Sequence, residues 1–293
     1  ARLVMARYGG RVKHWMTFNE QNLHGMSLLV SNATTLPKGE DPNRFLYQVN
    51  HNVFIAHCKA VKVLREVAPD ARICGMIAAT PNYPASSAPE DINFAARCND
   101  YLNHFHADVF CNGEYPAYMV RYLTEKGWMP EFADGDRELM KENTVDYLAF
   151  SYYRSNTVKA GDFSEPLPPA AVAGKNTVDN PHIEKNEWGW GIDPVGLRTL
   201  MHDLYYRHRK PLFILENGIG LRETLPEDGS PIQDDARIAY HKAHIQEMKK
   251  AILEDGVECL GYVTWGPIDI LSSHCEMEKR YGFVYVNRGE KDL

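Results

Sequence analysis

The strongest constraint on this chain is an alternation. Short apolar runs, each ending in polar or aromatic residues, are separated by stretches with helical spacing. Arg11 to Glu20 reads as the first strand. Asp41-Pro42 then supplies an N-cap with proline at the first helical position. Phe45, Val49, Val53, Ala56, Ala60, Val63 and Val67 follow at three- and four-residue steps, the buried face of a helix that stops at Pro69-Asp70. Arg72 to Ala79 is a second strand, Pro89 to Phe110 a helical stretch, and Asp146 to Tyr153 a third strand. Arg154 to Glu187 is rich in Pro, Ala, Ser and Asn and reads as a long functional or mobile loop. Asp193-Pro194 opens a further helix, and Pro211 to Leu215 is a fourth strand. The helix around Ile238, Ile245, Met248 and Ile252 ends at Gly256. Cys259 to Trp265 is a fifth strand, and a hairpin over Tyr281 to Val286 closes the chain. Repeated strand–helix alternation implies a parallel sheet with helices outside it.

Two of these strands run into a glutamate and then break. One is Trp15-Met16-Thr17-Phe18-Asn19-Glu20, the other Phe213-Ile214-Leu215-Glu216-Asn217-Gly218. A carboxylate at the C-terminal end of a buried strand is where a (β/α) barrel places its chemistry. Two such carboxylates facing one another meet the requirement of glycoside hydrolysis, in which one protonates the leaving oxygen and the other attacks or activates water.

Composition narrows the class. A net charge of -7 argues against non-specific nucleic-acid binding, and no apolar run is long enough for a membrane-spanning helix. The six cysteines, Cys58, Cys74, Cys98, Cys111, Cys259 and Cys275, form no C-x-x-C pair and read as reduced thiols of a cytoplasmic protein. His104-Phe-His106 and His241-x-x-His244 have no complementary ligand set, so no metal and no cofactor is expected.

Thr17-Phe18-Asn19-Glu20 resembles the acid/base motif of family 1 glycoside hydrolases, and Glu216-Asn217-Gly218 resembles the nucleophile motif of the same family. Ser151-Tyr152-Tyr153, Trp188-Gly-Trp190-Gly-Ile-Asp-Pro and Thr264-Trp265-Gly266-Pro267-Ile268-Asp269 match as well, and the likeness runs along essentially the whole chain. Within that family it is most similar to the bacterial 6-phospho-β-glucosidases. Ordinary members carry Glu-Trp where this chain has Ser272-Ser273, and the S-x6-K-x-Y spacing of Ser272, Lys279 and Tyr281 is the phospho-glycosidases' phosphate-binding set. Ser273, where phospho-galactosidases have tryptophan, tilts the likeness toward the gluco sugar.

The resemblance implies a (β/α)8 TIM barrel of which residues 1–293 represent roughly units 4 to 8. The start without methionine and the stop at Lys291-Asp292-Leu293 read as one catalytic domain cut at both ends. The family's early strands supply glycone-binding Gln and His residues and an Arg beside the nucleophile. It further implies Glu20 as acid/base, kept protonated by the nearby charge of an ionised Glu216, the nucleophile, at a carboxyl separation of about 5–5.5 Å. Tyr153 would orient Glu216, Asn19 would bind the 2-hydroxyl, and Trp265 would floor the sugar site. Ser151 departs from the family's usual asparagine. The expected partner is a phosphorylated β-glucoside; self-association is left open. An ordinary β-glucosidase, a 6-phospho-β-galactosidase and a catalytically silent sugar-binding fragment are the alternatives. An incomplete barrel would expose strand edges, so the isolated chain is expected to be inactive and poorly soluble.

Overall fold

A computed structural model describes residues 1–25, 35–228, 230–272 and 275–287. Five strands form one parallel sheet: β1 (His14–Met16), β2 (Arg72–Ala78), β4 (Tyr147–Tyr152), β7 (Leu212–Asn217) and β8 (Cys259–Tyr262), in the spatial order β1-β2-β4-β7-β8. Neighbours in the sheet follow one another in chain order, as the strand–helix alternation requires. β1 and β8 are the edges of this sheet among the described residues.

Side chains alternate between the sheet's two faces. Cys74, Met76, Tyr147 and Ala149 cluster on one face, with Phe213, Leu215 and Leu260 packed against them. Their neighbours Ile77, Leu148, Phe150, Tyr152, Leu212 and Ile214 point to the other face and join the main core beneath the helices. At about 1.5–3 kcal/mol for each large apolar side chain removed from water, this two-sided burial dominates the stability of the sheet. Gly75 sits where Phe110 crosses β2. A Cβ there would lie 2.3 Å from the Phe110 ring, so the close helix–sheet contact depends on the missing side chain.

α2 (Pro42–Val67) begins as the sequence indicates, with the Asp41 side chain accepting from the backbone N–H groups of Asn43 and Arg44. α8 (Pro194–His208) is capped in the same way by Asp193, which accepts from Gly196 N–H. α9 (Asp235–Leu253) precedes Gly256, whose φ is +71°.

Several expectations change. The first strand is only three residues, because the chain leaves the sheet after Met16 and turns into a 3₁₀ helix, Gln21–Gly25. Before it lies an unanticipated helix, α1 (Arg2–Tyr8), whose Met5 packs against Val61, Leu64 and Ala68 of the α2 end. The stretch from Pro89 is α3 (Pro89–Asn99), a π-helical turn (Asp100–His104) and α4 (Phe105–Asn112). α5 (Ala117–Lys126) and α6 (Asp136–Glu142) follow. The fifth strand ends at Tyr262, short of Trp265.

The segment 154–187 is no structureless loop. It holds β5 (Asn156–Val158), α7 (Pro169–Lys175) and β6 (Thr177–Val178), and β5 joins β3 (Asn82–Pro84) in a second sheet of order β3-β5-β6. Nor is 281–286 a hairpin. Val284 bridges in parallel to Ile268, and Arg280 bridges antiparallel to Leu221. The buried Arg280–Asp269 ion pair ties that turn together, and Asp269 also accepts from Gly282 N–H at 3.1 Å.

Candidate active site

The two glutamates reach one cavity from opposite edges of the chain's middle strands. β4 and β7 run in regular register up to Phe150 opposite Ile214, and then slip so that Ser151 faces Glu216. One residue, Leu215, is thereby skipped. A bulge of this kind re-aims the side chain that follows it, and it turns Glu216 toward the face occupied by Phe213 and Leu215. Asn217 is driven the other way. It is fully buried, donates to Tyr152 O at 2.6 Å and accepts from the Tyr262 hydroxyl at 2.6 Å.

Glu20 is set by a different device. Thr17 Oγ1 lies 2.7 Å from Nδ1 of the buried His57, and Asn22 exchanges two hydrogen bonds with the Ala78 backbone, at 2.7 and 2.8 Å. Between these pins Glu20 takes φ +41°, a region an L-residue seldom occupies. Backbone strain held by surrounding contacts is a feature of functional sites.

A cavity of about 320 Å³ opens at this end of the sheet, and Asn19, Glu20, Ser151, Tyr153, Arg154, Trp190, Glu216, Trp265 and Tyr281 line it. The Ser151 hydroxyl donates a short hydrogen bond to Glu20 Oε1, and Tyr153 donates to Glu216 Oε2 at 2.9 Å. Of the residues singled out in the sequence, Asn19, Glu20, Tyr153, Glu216, Trp265 and Tyr281 therefore line one cavity. Lys279 is buried at its margin, with Nζ 3.7 Å from the centre of the Trp190 ring. Ser272 is buried but does not reach the cavity wall; its Oγ accepts from Glu276 N–H at 3.0 Å. Ser273 lies outside the described residues. Ser151, Arg154 and Trp190 are among the lining residues that received no site role from the sequence. Adjacency to Tyr153 and the Trp-Gly-Trp motif were the available signals.

Burial raises the pKa of Glu20, and the Ser151 hydrogen bond opposes the rise. Glu216 is pushed up to about 7 by burial and then by the charge of Glu20, against the lowering effect of Tyr153 and Asn19. Ser151 stabilises the ionised form of Glu20, whereas no cation among the described residues relieves Glu216. Two carboxyl groups in one partly dry cavity do not ionise independently.

The family profile that fits this chain is that of glycosyl hydrolase family 1, and it matches residues 1–293. The chain belongs to that family. Aryl-phospho-β-D-glucosidase BglH of Bacillus subtilis is 47% identical over 289 residues, 98% of this chain and 61% of that protein. The phospho-cellobiase of Klebsiella oxytoca is 42% identical over 293 residues, again covering 61% of its length. Among solved structures, the family 1 β-glucosidase of Thermotoga maritima superposes with a TM-score of 0.82 at 30% identity, over 98% of this chain and 62% of that one. The chain thus spans about three fifths of the family 1 proteins it matches, and its five-stranded parallel sheet is part of their (β/α)8 barrel.

Neither histidine pair gathers a ligand set, and among the described residues no group of three or more His, Cys, Asp or Glu side chains could hold a metal. His106 is bonded to Asn50 at 3.0 Å and His104 to Asp203 at 2.8 Å; His241 meets the Tyr262 hydroxyl and His244 the Tyr240 carbonyl, each at 2.8 Å. No described helix is long and apolar enough to cross a membrane.

Proposed function

We propose that the protein is a retaining 6-phospho-β-glucosidase. The observation that carries this reading is Lys279, 2% exposed, beside the two-carboxylate cavity. No carboxylate lies within ion-pair distance of it among the described residues. A buried ammonium needs an anion, and a substrate phosphate supplies one. The names of the relatives from Bacillus subtilis and Klebsiella oxytoca agree with that substrate class.

In the proposed reaction, Glu20 gives its proton to the glycosidic oxygen as the bond to the anomeric carbon breaks. Ionised Glu216 attacks that carbon and forms a glycosyl ester. Glu20, now ionised, takes a proton from water, which displaces Glu216 and yields glucose 6-phosphate with its configuration retained. Asn19 is assigned to the 2-hydroxyl, Trp265 to the sugar's apolar face, and Lys279 with Tyr281 to the phosphate. Ser272 joins them by donating its own O–H, since the bond from Glu276 N–H occupies only a lone pair of its Oγ. Substrates of this kind arise inside cells, so the site of action is proposed to be the cytoplasm, with no nucleic-acid or membrane partner.

The test is parallel hydrolysis of nitrophenyl β-D-glucoside with and without a 6-phosphate, by a protein in which this sequence is completed to a full family 1 barrel. The phosphorylated substrate is expected to be turned over with much the larger kcat/KM, and the first sugar released is expected to be the β-anomer. Comparable turnover of both substrates would end the phosphate assignment.

Tyr153 offers a separate check on the electrostatics. Its hydrogen bond holds the Glu216 pKa down, so Tyr153→Phe should raise that pKa further. Because attack requires ionised Glu216, the acid limb of the kcat/KM profile is expected to move to higher pH. An unmoved limb with reduced activity would assign Tyr153 to another role.

A further inference from the structure

Arg154 follows Tyr153 directly and lines the same cavity. Its guanidinium carbon stands 5.0 Å from the centre of the Trp190 ring, the ring on which Lys279 also rests. The two cations come from different parts of the barrel: Arg154 from the end of β4, Lys279 from the segment after β8. Each forms its cation–π contact without a carboxylate in ion-pair range among the described residues, although Glu20 and Glu216 line the same cavity. Among the described residues that line it, Arg154 is the only positively charged side chain.

We infer that Arg154 is a second phosphate-binding group, completing with Lys279 and Trp190 a two-cation clamp for a dianionic phosphate monoester. This rests on the phospho-glucosidase reading and extends it. Two positive charges held near one another repel: burial lowers the Lys279 pKa most, the charge of Glu276 opposes that, and the charge of Arg154 adds to the lowering. Burial also disfavours the charge on each of them. A dianion between them removes both costs at once. Arginine contributes what lysine cannot, a planar fork that donates two parallel hydrogen bonds to phosphate oxygens. The Trp190 ring face attracts both charged groups when no ligand is bound. Because Arg154 adjoins Tyr153, whose hydroxyl is fixed on Glu216, the clamp has a set position relative to the reacting carbon.

Calorimetric titration of the protein with glucose 6-phosphate, inorganic phosphate and glucose tests this, using wild type, Arg154→Met, Arg154→Lys and Lys279→Met. Arg154→Met is expected to weaken glucose 6-phosphate binding about tenfold or more. Inorganic phosphate should lose affinity in parallel, and the salt dependence of binding should become shallower. Arg154→Lys should restore part of the loss, and an unchanged melting curve would exclude misfolding as its cause. If Lys279→Met weakens glucose 6-phosphate binding while Arg154→Met leaves it as it was, the inference is overturned and the phosphate reading stands. An equal loss for glucose would also overturn it, since Arg154 would then act through the sugar. Wild-type protein that prefers glucose to glucose 6-phosphate would remove the phosphate reading itself.

Discussion

Replacing Glu216 with glutamine is expected to cut hydrolysis of a 6-phospho-β-glucoside by about 10⁴-fold or more while making the protein more stable. The two effects share one cause. Glu216 is buried beside Glu20, and its pKa stands at about 7 against an ordinary value of 4.5. The folded state therefore holds a proton that the unfolded chain gives up at lower pH. Linkage then fixes the sign. The stabilising contribution of protonated Glu216 is fully present below about pH 4.5 and is lost as pH rises through about 7. Wild-type melting temperature should fall across that window, and the glutamine variant should lack this part of the fall. Loss of activity without the stability change would mean that the carboxylate is not strained in its cavity. The resemblance to full-length family members implies an arginine beside the nucleophile from earlier barrel strands. A cation there would draw the Glu216 pKa down and ready it for attack.

Lys279→Met carries the next largest effect. Methionine keeps the stem that packs over Trp190 and against Gly220, where an added Cβ would come within 2.6 Å of Lys279 Cγ. Only the charge is removed. A charge-assisted contact to a desolvated phosphate is strong, so KM for the phosphorylated glucoside is expected to rise by about 10²-fold. The unphosphorylated glucoside should lose far less, narrowing discrimination between the two. Steady-state kinetics on both substrates decides the matter. An equal loss on both would place Lys279 in the framework around Trp190 and not at the phosphate.

The barrel was legible in the chain because its signals are local. Asp41-Pro42 and Asp193-Pro194 announce helix starts that need no tertiary partner to be recognised, and both cap as written. The apolar runs ending in Glu216 and Tyr153 are strands for the same reason. What escaped depends on contacts between distant segments. The strand before Glu20 reads as ten residues, but Thr17 and Asn22 are captured by His57 and Ala78, which pull the backbone out of the sheet after Met16. The slip beyond Phe150 that turns Glu216 inward is a property of two strands together and leaves no mark in either. The Pro- and Ala-rich segment reads as a loop because β5 and β6 are short and are completed by β3, more than seventy residues earlier.

The site divides the same way. The glutamates, Tyr153 and Trp265 could be found from motifs that describe strand ends. The Ser151 hydrogen bond to Glu20 could not, because it joins two segments far apart in the chain. Arg154 carried no motif. Its significance appears only once it and Lys279 are seen to share the Trp190 ring.

The most direct test of the double-displacement site is covalent capture. The protein is incubated with a 2-deoxy-2-fluoro-β-glucoside 6-phosphate bearing an activated leaving group, and its intact mass and peptide map are recorded. The expected result is a single added fluoroglucosyl phosphate on the peptide containing Glu216, absent from Glu216→Gln. Label on another carboxylate, or turnover of the natural glycoside with inversion and no label, would contradict the assignment of Glu216 as the nucleophile.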